Sequence, residues 1–476
     1  MTRHLTPLLA GVFLFLGALP AADLSARPEP AASETDAGTP QGAADEASNP
    51  TPRQLAELFF DLANPEPDVY KEAFKVIEAH WHPGMSPMAL ELARLANRDS
   101  RNRIYRLLEE KTGKRFDSDT DAWWEWLWRQ ELEAFPTYPY FKALLWGFID
   151  TRFVDYFSND RAATIRLDEV RWGGVVQDGI PPLRGPEMIT ADDADYLRDD
   201  HVVFGLEVNG DVRAYPKRIL AWHEMFVDTV GGVPVAGVYC TLCGTMILYE
   251  TTVDGTPHEL GTSGFLYRSN KLMYDRETQS LWSTIEGEPV IGPLVGQGIQ
   301  LPIRGVVTTT WGEWRRRHPK TTVLSLNTGH QRDYAEGAAY REYFATDQLM
   351  FTVPEKDRRL KNKAEVLALD FRNGATPLAI SARYLTRNPV FHEALGDERF
   401  VVLTDDSGAN RVYRTGDVRF ESWDQDRKAV DGKGGTWKVT EQGLAADDGT
   451  VLERLPAHRA FWFGWRSAHP DTRLIK

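Results

Sequence analysis

Cysteine is nearly absent from this sequence, which contains only Cys240 and Cys243 in 476 residues. Two thiols can supply at most half of the roughly four ligands that a structural zinc ion needs. The sequence also contains no phosphate-binding loop, no nucleophile elbow and no H-E-x-x-H metal motif. These absences exclude the commonest catalytic signatures, so any chemistry has to be sought around the two cysteines.

Positive charge is also scarce, because 55 lysines and arginines stand against 69 acidic residues and give a formal net charge of −14. An acidic surface repels phosphate backbones, so nucleic acid is not an expected partner. Beyond the N-terminus, no stretch stays apolar for the roughly 20 residues that a transmembrane helix needs. Hydrophobic residues still make up 42% of the chain, and its 15 tryptophans are expected to fill a core.

The N-terminus has the three-part pattern of a secretory signal peptide. Met1–His4 carry a basic flank, Leu5–Leu19 are apolar and small residues follow, which predicts a signal segment over residues 1–22. An uncleaved anchor is the alternative. Residues 23–52 are rich in alanine, proline, serine and acid, and they predict a disordered linker. We therefore expect a periplasmic or secreted protein, whose protein or small-molecule partner the sequence does not name.

The pattern of apolar residues divides the rest of the chain in two. Leu55, Leu58 and Leu62 recur at helical spacing, and similar spacing over residues 53–160 predicts a HEAT-like α-helical domain. From residue 165 onward, short apolar segments alternate with glycine-rich turns, which indicates short β-strands. The predicted fold class is α+β, with an N-terminal α-helical (HEAT-like) domain followed by a duplicated, mainly β domain.

The duplication is predicted from a long motif that occurs twice. Residues 311–321 and residues 462–472 both read W-x-x-W-R-x-x-H-P-x-T. Because tryptophan is rare, this agreement in register indicates two copies of one module, the first over residues 165–330 and the second over residues 331–476. Residues that both copies share are expected to build the fold.

Shorter matches between the copies point the same way. Asn209-Gly210 in the first copy is matched by Asn373-Gly374 in the second, and Trp222-His223-Glu224 is matched by Phe391-His392-Glu393. Asparagine followed by glycine is typical of β-hairpin turns. The two cysteines have no counterpart in the second copy, so they are the best candidates for a function added to a shared scaffold.

The segment from Cys240 to Gly244 reads C-x-x-C-G, and three interpretations of it compete. The first is a metal site made of His223, Cys240 and Cys243, whose thiolate and imidazole donors would suit zinc or copper. The second is a thiol–disulfide redox couple, followed by a strand rather than by the helix of a thioredoxin-type site. The third is an inert local disulfide bond or a pair of buried thiols.

Polar residues near the cysteines in the sequence are candidates for lining a pocket around them. Carboxylates among them could perform acid–base chemistry if burial shifted their pKa values. These candidate pocket residues are Glu224, Asp228, Tyr239, Ser263, Tyr267, Asp275 and Arg276.

Several segments of the first copy form one recognisable pattern. They are Trp222-His-Glu, Asp228-Thr-Val-Gly-Gly232, Tyr239-Cys-Thr-Leu-Cys-Gly244, Ser263-Gly-Phe-Leu-Tyr267, Met273-Tyr-Asp-Arg276 and Ser280-Leu-Trp-Ser283. Together they resemble the bacterial family of domains of unknown function that is numbered 3179. The resemblance covers residues 170–476 and leaves the helical region outside. It implies a C-x-x-C-G turn in an exported protein, and it implies no settled activity.

Two hypotheses about function follow from the sequence. The first is an exported protein with a cysteine-based site, for metal binding or thiol redox chemistry, centred on Cys240 and Cys243. The second is a non-catalytic binding or scaffold module of the cell envelope that carries a local disulfide bond. No reaction, substrate or class of enzyme is predicted.

Overall fold

The computed structural model describes residues 49–476, so the predicted signal segment and almost all of the predicted linker lie outside the described residues. The described chain forms two compact units. One is helical and contains residues 49–169 with residues 291–293, and the other is rich in β-strands and contains residues 170–290 and 294–476. The predicted α+β fold class is confirmed. In the described part of the chain, no helix combines the length and the apolar character that spanning a membrane requires.

The helical unit consists of amphipathic α-helices joined by short loops. The first begins at Thr51, whose side chain accepts a hydrogen bond from the amide of Gln54, while the Gln54 side chain accepts one from the amide of Thr51. The fourth ends at Gly113, which adopts a left-handed conformation with a φ of 66°. These helices are α1 (Pro52–Asp61), α2 (Pro67–Ala79), α3 (Ser86–Leu95), α4 (Arg98–Thr112), α5 (Thr120–Leu127) and α6 (Tyr138–Gly147).

The first half of the β-rich unit contains short strands and two helices. The strands are β1 (Val170–Trp172), β2 (Leu183–Arg184), β3 (Met188–Thr190), β4 (Val202–Val208), β5 (Asp211–Pro216), β6 (Met225–Val230), β7 (Val233–Cys240), β8 (Thr245–Glu250), β9 (Thr252–Val253), β10 (Thr256–Pro257), β11 (Leu260–Tyr267), β12 (Asn270–Asp275), β13 (Leu281–Ser283), β14 (Pro289–Ile291), β15 (Ile303–Arg304), β16 (Val307–Thr310) and β17 (Thr322–Leu324). The helices are α7 (Lys217–His223) and α8 (Trp311–Arg317).

Three five-stranded sheets organise this half. Their strand orders are β1-β11-β12-β13-β14, β15-β8-β7-β6-β2 and β16-β4-β5-β17-β3. Apolar side chains from the last two sheets meet in one buried cluster, in which Phe204 of β4 and Tyr215 of β5 lie with Phe226 of β6 and Leu248 of β8. The β7–β8 turn, which carries the cysteines, is therefore attached to a packed core.

The second half contains the remaining elements. They are α9 (Arg341–Ala345), β18 (Glu365–Leu369), β19 (Leu378–Ser381), α10 (Ala382–Arg387), β20 (Val390–Leu395), β21 (Glu398–Thr404), β22 (Asn410–Arg414), β23 (Phe420–Trp423), β24 (Lys428–Asp431), β25 (Thr436–Val439), β26 (Gly443–Ala446), β27 (Val451–Glu453), β28 (His458–Phe461), α11 (Trp462–Ala468) and β29 (Arg473–Ile475). The sheet orders are β28-β18-β19-β29, β20-β21-β22 and β23-β24-β25-β26-β27.

The two halves repeat one order of elements. An antiparallel hairpin (β4–β5, then β18–β19) leads through a short helix (α7, then α10) into a three-stranded meander (β6–β7–β8, then β20–β21–β22). Later, a strand, a helix and a strand (β16–α8–β17, then β28–α11–β29) return to the hairpin. In both halves the last of these strands pairs in parallel with the second strand of the hairpin. The predicted duplication is thus visible as a repeated topology.

The repeated tryptophan motif forms the same corner in both halves. In the first half, the Trp314 indole Nε1 donates a hydrogen bond to Thr321 Oγ1 at 3.0 Å. In the second half, Trp465 Nε1 donates to Thr472 Oγ1 at 2.9 Å. Both tryptophans are buried, with exposed fractions of 0% and 1%. The motif therefore fixes a helix against the strand that follows it.

One predicted correspondence between the copies is wrong. His223 is the last residue of α7, whereas His392 lies inside β20. Counting back from the β6–β7 and β20–β21 turns, His392 takes the position of Val227. A match of a few residues cannot fix the register of a strand, since only the turn and the pairing do so.

The packing of the tryptophan corner can be tested at Gly205 in β4. A Cβ at this position would lie 2.3 Å from the Trp314 ring. We predict that Gly205→Ala lowers the free energy of unfolding by about 1–3 kcal/mol, because the indole has to leave a tightly packed position. Equilibrium denaturation of the purified protein measures this loss.

Gly305→Ala is the matched control, because its added Cβ would approach no atom more closely than 3.5 Å, in Arg454. We expect this control to change the free energy of unfolding by less than about 0.5 kcal/mol. Equal losses in the two variants would contradict the packing account.

Candidate functional site

Cys240 and Cys243 are joined by a disulfide bond in the turn between β7 and β8. The two strands pair as far as Cys240 and Thr245, so Cys240 is the last paired residue before the turn. Gly244 adopts a left-handed conformation with a φ of 61°, which lets the chain reverse into β8. The predicted local disulfide bond is confirmed, and so is the strand predicted after Gly244.

The disulfide bond is buried, because Cys240 is 1% exposed and Cys243 is 0% exposed. The amide of Cys243 donates to Cys240 Sγ at 3.4 Å, and the carbonyl oxygen of Ser269 lies 3.9 Å from Cys243 Sγ. The sulfur atoms thus have polar main-chain neighbours within an otherwise apolar cluster. A reagent in solvent can reach them only if the surrounding chain moves.

The second half of the β-rich unit packs directly on the cysteine turn. The amide of Phe461 donates to the carbonyl oxygen of Cys243 at 2.7 Å. Gly464 of α11 allows close approach, because a Cβ there would lie only 2.7 Å from Cys243 Cβ. The side-chain amide of Asn270 donates to the carbonyl oxygen of Gly464 at 3.0 Å. The turn therefore forms part of the contact between the two halves.

Residues 340–353, which we call the covering segment, also pack on the cysteine turn. Apolar side chains from this segment join the buried cluster around the cysteines. The Tyr343 hydroxyl donates to the carbonyl oxygen of Leu242 at 2.7 Å, and the Ser269 hydroxyl donates to the carbonyl oxygen of Phe351 at 2.9 Å. These hydrogen bonds attach the covering segment to the chain on both sides of the disulfide bond.

A buried ionic network lies beside the cysteine turn. Lys271 Nζ is 3.5 Å from a carboxylate oxygen of Glu224, and it donates to the carbonyl oxygen of Glu224 at 3.0 Å. The Tyr340 hydroxyl donates to the Glu224 carboxylate at 3.3 Å. The amide of Tyr239, the residue before Cys240, donates to the carbonyl oxygen of Glu224 at 2.9 Å. The chain preceding the disulfide is therefore tied directly to this ion pair.

Burial governs the protonation of the network. It lowers the pKa of Lys271, although the charge of Glu224 opposes this shift. Burial also raises the pKa of Tyr340 and of Tyr239, and the charge of Glu224 adds to the rise in both. The Tyr239 hydroxyl finds no hydrogen-bond partner among the described residues. The site therefore holds the buried pair of Lys271 and Glu224 next to two phenols that burial keeps protonated.

His223 has its own set of partners. Its Nδ1 lies 2.9 Å from the carbonyl oxygen of Pro181, and its Nε2 lies 2.5 Å from the hydroxyl of Tyr334. Burial lowers the pKa of His223 to about 4, so the imidazole is neutral at pH 7. With both ring nitrogens engaged and the sulfur atoms bonded to each other, the oxidised protein offers no geometric support for the metal site of His223, Cys240 and Cys243. That site stays a prediction for the reduced protein.

The other candidate pocket residues lie at separate places. Asp228 pairs with Arg213 at 2.7 Å. The Ser263 hydroxyl donates to the carbonyl oxygen of Leu272 at 2.6 Å inside a strand pair. Asp275 closes the turn after β12 by accepting hydrogen bonds from main-chain amides.

The last two candidate pocket residues, Arg276 and Tyr267, have partners of their own. Arg276 pairs with Glu259 near the surface, and Tyr267 ends β11 opposite Asn270. Of the candidate pocket residues, the structure thus brings only Glu224 and Tyr239 to the two cysteines.

Sequence reasoning missed Lys271, Tyr340 and Tyr343. Lys271 directly precedes the apolar run Leu272–Tyr274 in β12, and a lysine at such a position could have indicated a buried ion pair. The two tyrosines belong to an aromatic stretch near the start of the second copy, whose sequence has no strand or helix periodicity. No sequence signal placed that stretch over the cysteine turn.

The family comparison agrees with this geometry. A family model described as "Protein of unknown function (DUF3179)" matches residues 177–472. The chain belongs to this family. The DUF3179 match includes the cysteine turn, the covering segment and both tryptophan corners, and it leaves α1–α6 outside. No curated protein and no solved structure matches the chain.

The buried ion pair of this DUF3179 protein can be tested by a double-mutant cycle. Lys271→Met leaves the Glu224 carboxylate buried without its cation, and we predict a loss of about 3–5 kcal/mol in the free energy of unfolding. The double variant Glu224→Gln/Lys271→Met should recover a large part of that loss, because the side-chain amide of glutamine is neutral and needs no cation beside it. Equilibrium denaturation at neutral pH measures both effects.

Lys428→Met in β24 is the control for removing a lysine from a strand, because Lys428 is exposed. It should change the stability by less than about 0.5 kcal/mol. If the double variant is no more stable than Lys271→Met, the charge of Glu224 does not need Lys271 to compensate it.

Proposed function

We propose that this protein is an exported thiol–disulfide redox protein whose reactive pair is Cys240 and Cys243. Three features support the proposal: the corresponding turn of the second half is built without sulfur, a buried ion pair is hydrogen-bonded to the residue before Cys240, and the covering segment packs over the disulfide bond. Each feature concerns the disulfide bond or its surroundings, which are not needed to form the fold that the two halves share.

The turn of the second half carries most of the argument. Counting from the β6–β7 and β20–β21 turns, Asp405 takes the position of Cys240. Asp405 holds its turn through hydrogen bonds from the amides of Ser407 and Ala409, both at 3.0 Å. This turn is one residue shorter than the cysteine turn, since Thr404 pairs with Asn410 whereas Tyr239 pairs with Met246. Hydrogen bonds alone are enough to form it, so the scaffold accepts a turn without sulfur at this place. A disulfide that the scaffold can do without is free to serve redox chemistry.

The reaction is a two-electron exchange with an external dithiol. A thiolate of the dithiol attacks one sulfur of the Cys240–Cys243 bond, which breaks and leaves a mixed disulfide and one cysteine thiolate. The second thiol of the partner then displaces the other cysteine. The partner leaves as a disulfide, and Cys240 and Cys243 become thiols that carry the two electrons and two protons of the partner. The reverse sequence oxidises a reduced pair.

Access to the sulfur atoms sets the rate of this exchange. Because both cysteines are buried, the covering segment has to open before a thiolate can attack. The hydrogen bond from Tyr343 to the carbonyl oxygen of Leu242 is one contact that opening breaks. Such a bond contributes about 1 kcal/mol, so its removal is expected to raise the open population about fivefold. The covering segment thereby selects small or flexible thiol partners over folded ones.

Export accords with this chemistry. The sequence pattern at the N-terminus is typical of a secretory signal, and disulfide bonds persist in oxidising compartments outside the cytosol. A redox pair in the periplasm or the secreted fraction would meet both dithiols and oxidants. Localisation of the full-length protein, tagged at its C-terminus, tests this part of the proposal separately.

A second candidate function is a non-catalytic scaffold with an inert disulfide bond. The observation that favours it is burial, since exposed fractions of 1% and 0% leave no sulfur at the surface. A structural disulfide in an exported protein has a reduction potential below about −300 mV, whereas those of redox proteins are higher. The reduction potential in the folded state therefore separates the two functions.

We predict that the Cys240–Cys243 bond of the folded protein equilibrates with dithiol buffers at a potential above about −270 mV, as in redox proteins. Alkylation followed by intact-mass analysis measures the reduced fraction. Tyr343→Phe should raise the rate of reduction about fivefold, because the covering segment loses a hydrogen bond. Tyr384→Phe is the control, since the Tyr384 hydroxyl makes no hydrogen bond within the described residues.

A bond that is reduced only after the protein unfolds would establish the scaffold function instead. Near-ultraviolet circular dichroism, recorded on the same samples, distinguishes reduction in the folded state from reduction after unfolding. Equal reduction rates in Tyr343→Phe and in the wild type would remove the gating role of the covering segment.

A further inference from the structure

A second cluster of reactive groups includes none of the residues around the disulfide bond. Carboxylate oxygens of Glu286 and Asp370 and an imidazole nitrogen of His469 all lie within 4.8 Å of one another. Glu286 lies between β13 and β14, Asp370 follows β18, and His469 follows α11 in the repeated tryptophan motif. Three elements that are far apart in the sequence thus bring one nitrogen and two carboxylates together.

The imidazole nitrogen in this cluster has no hydrogen-bond partner. His469 Nε2 is buried and makes no hydrogen bond within the described residues, although it lies 3.3 Å from Glu286 Oε1. The His469 side chain is only 11% exposed. A buried polar atom without a partner costs free energy, so a ligand bound to this nitrogen would stabilise the protein.

A second imidazole adjoins the first. His458 packs on the Trp465 ring with a centroid distance of 5.6 Å, and His469 packs on the same ring at 4.0 Å. His458 is 9% exposed, and its Nε2 also has no hydrogen-bond partner in the described chain. Two unpartnered imidazoles therefore lie on one tryptophan.

The two carboxylates lack a basic ion-pair partner. Within the described residues, no lysine or arginine forms an ion pair with Glu286 or Asp370. Arg372 is the nearest cation, but its guanidinium donates to the carbonyl oxygens of Leu301 and Glu286. The only contact of Arg372 with Asp370 is through its main-chain amide, at 2.8 Å.

The repeated topology creates an equivalent cluster in which the two halves exchange roles, and the comparison identifies what is special here. The Tyr249 hydroxyl donates to the carbonyl oxygen of Ile285, and the Tyr413 hydroxyl donates to that of Thr440. The residue after each acceptor is a glutamate, so Glu441 is the counterpart of Glu286. The tryptophan motif makes His318 the counterpart of His469, and His318 Nε2 lies 3.6 Å from Glu441 Oε1.

The counterpart of Asp370 follows from the strand registers. Thr310 and Phe461 both directly precede the repeated tryptophan motif, so they are equivalent. Thr310 pairs with Val202, and Phe461 pairs with Glu365, which makes Val202 and Glu365 equivalent as well. Counting forward from these pairs, Glu207 takes the position of Asp370. Both sets of positions thus hold one histidine and two carboxylates, and of the two sets only the one with His469 gathers within 4.8 Å among the described residues.

The carboxylates of the counterpart cluster are compensated by neighbouring side chains, whereas His318 Nε2, like His469 Nε2, has no hydrogen-bond partner within the described residues. Arg411 Nε lies 2.8 Å from Glu441 Oε1, and Arg454 also pairs with Glu441. The Gln442 side-chain amide donates to Glu207 Oε1 at 2.8 Å. Each carboxylate of this cluster therefore has a partner that donates hydrogen bonds.

The same three donors are missing around His469. Val238 of β7 and Leu403 of β21 occupy equivalent positions, and they pair with Ile247 and with Arg411, respectively. Ile247 therefore replaces Arg411. Ile303 replaces Arg454, since Ile303 pairs with Tyr249 and Arg454 pairs with the equivalent Tyr413. Gly287 replaces Gln442 in the position after the glutamate. The scaffold is retained, and all three of these compensating groups have been replaced.

The electrostatics of the two glutamates differ accordingly. Burial disfavours the charge on Glu441, but Arg411 and Arg454 outweigh it and hold the pKa of Glu441 well below its ordinary value. Within the described residues no lysine or arginine forms an ion pair with Glu286. The arrangement of side chains therefore leaves room for a cation beside the carboxylates of the cluster with His469.

We propose that Glu286, Asp370 and His469 bind one divalent transition-metal cation. One imidazole nitrogen and two carboxylate oxygens suit zinc or manganese, and three protein ligands leave coordination positions for water or a ligand. Calcium and magnesium prefer sites made entirely of oxygen. This metal site does not depend on the proposed redox function, because it shares no residue with the disulfide bond.

The test is metal binding by purified protein that a chelator has stripped of metal. Isothermal titration with Zn²⁺ and with Mn²⁺, together with native mass spectrometry, should show one ion per chain for at least one of the two metals. Ca²⁺ should bind at least about tenfold more weakly, because it disfavours the imidazole ligand. His469→Gln should weaken binding at least about tenfold, since it removes the nitrogen ligand. Asp370→Asn should do the same.

His318→Gln is the matched control, because it changes the equivalent histidine in the compensated cluster and should leave metal binding unchanged. A Cys240→Ser/Cys243→Ser variant should also bind normally. The proposal is overturned if the wild type binds neither Zn²⁺ nor Mn²⁺, if His318→Gln loses as much affinity as His469→Gln, or if the cysteine variant alone loses binding. Should His469→Gln fail to fold, Asp370→Asn decides the outcome.

Discussion

The β-rich unit depends on reciprocal docking between its two halves. The amide of Phe461 in the second half binds the carbonyl oxygen of Cys243 in the first. In the opposite direction, the hydroxyls of Thr309 and Ser407 lie 3.2 Å apart, and Ala409 shares a buried cluster with the tryptophan corner of the first half. Each meander turn is thus completed by the other half, which explains why both halves belong to one compact unit.

This arrangement lets chemistry diverge while packing is kept. The turns and corners that dock must keep their shape, but the side chains behind them can change. At one meander turn the chain uses Asp405 and hydrogen bonds, and at the other it uses Cys240 and a disulfide bond. Beside one histidine it places Arg411, and beside the other it places Ile247. The meander β6–β7–β8, which lacks the compensating arginine, is the one that adjoins both candidate sites.

Local signals in the sequence predicted most of the architecture, because they depend on neighbouring residues. Asn209-Gly210 predicted the β4–β5 hairpin, and the tryptophan motif predicted a duplicated corner. The clusters could not be predicted in the same way, since Glu286, Asp370 and His469 come from three distant elements. The covering segment lacks periodicity, and the match proposed for His392 failed because only strand pairing sets register.

The central claim is that docking by the second half holds the cysteine turn closed. Gly464→Ala tests it most directly, because the added Cβ would lie 2.7 Å from Cys243 Cβ, while alanine itself favours the helix. The account predicts that the Cys240–Cys243 bond of the folded variant is reduced by a dithiol at least about tenfold faster than that of the wild type. An unchanged rate of reduction in a folded Gly464→Ala protein would contradict it.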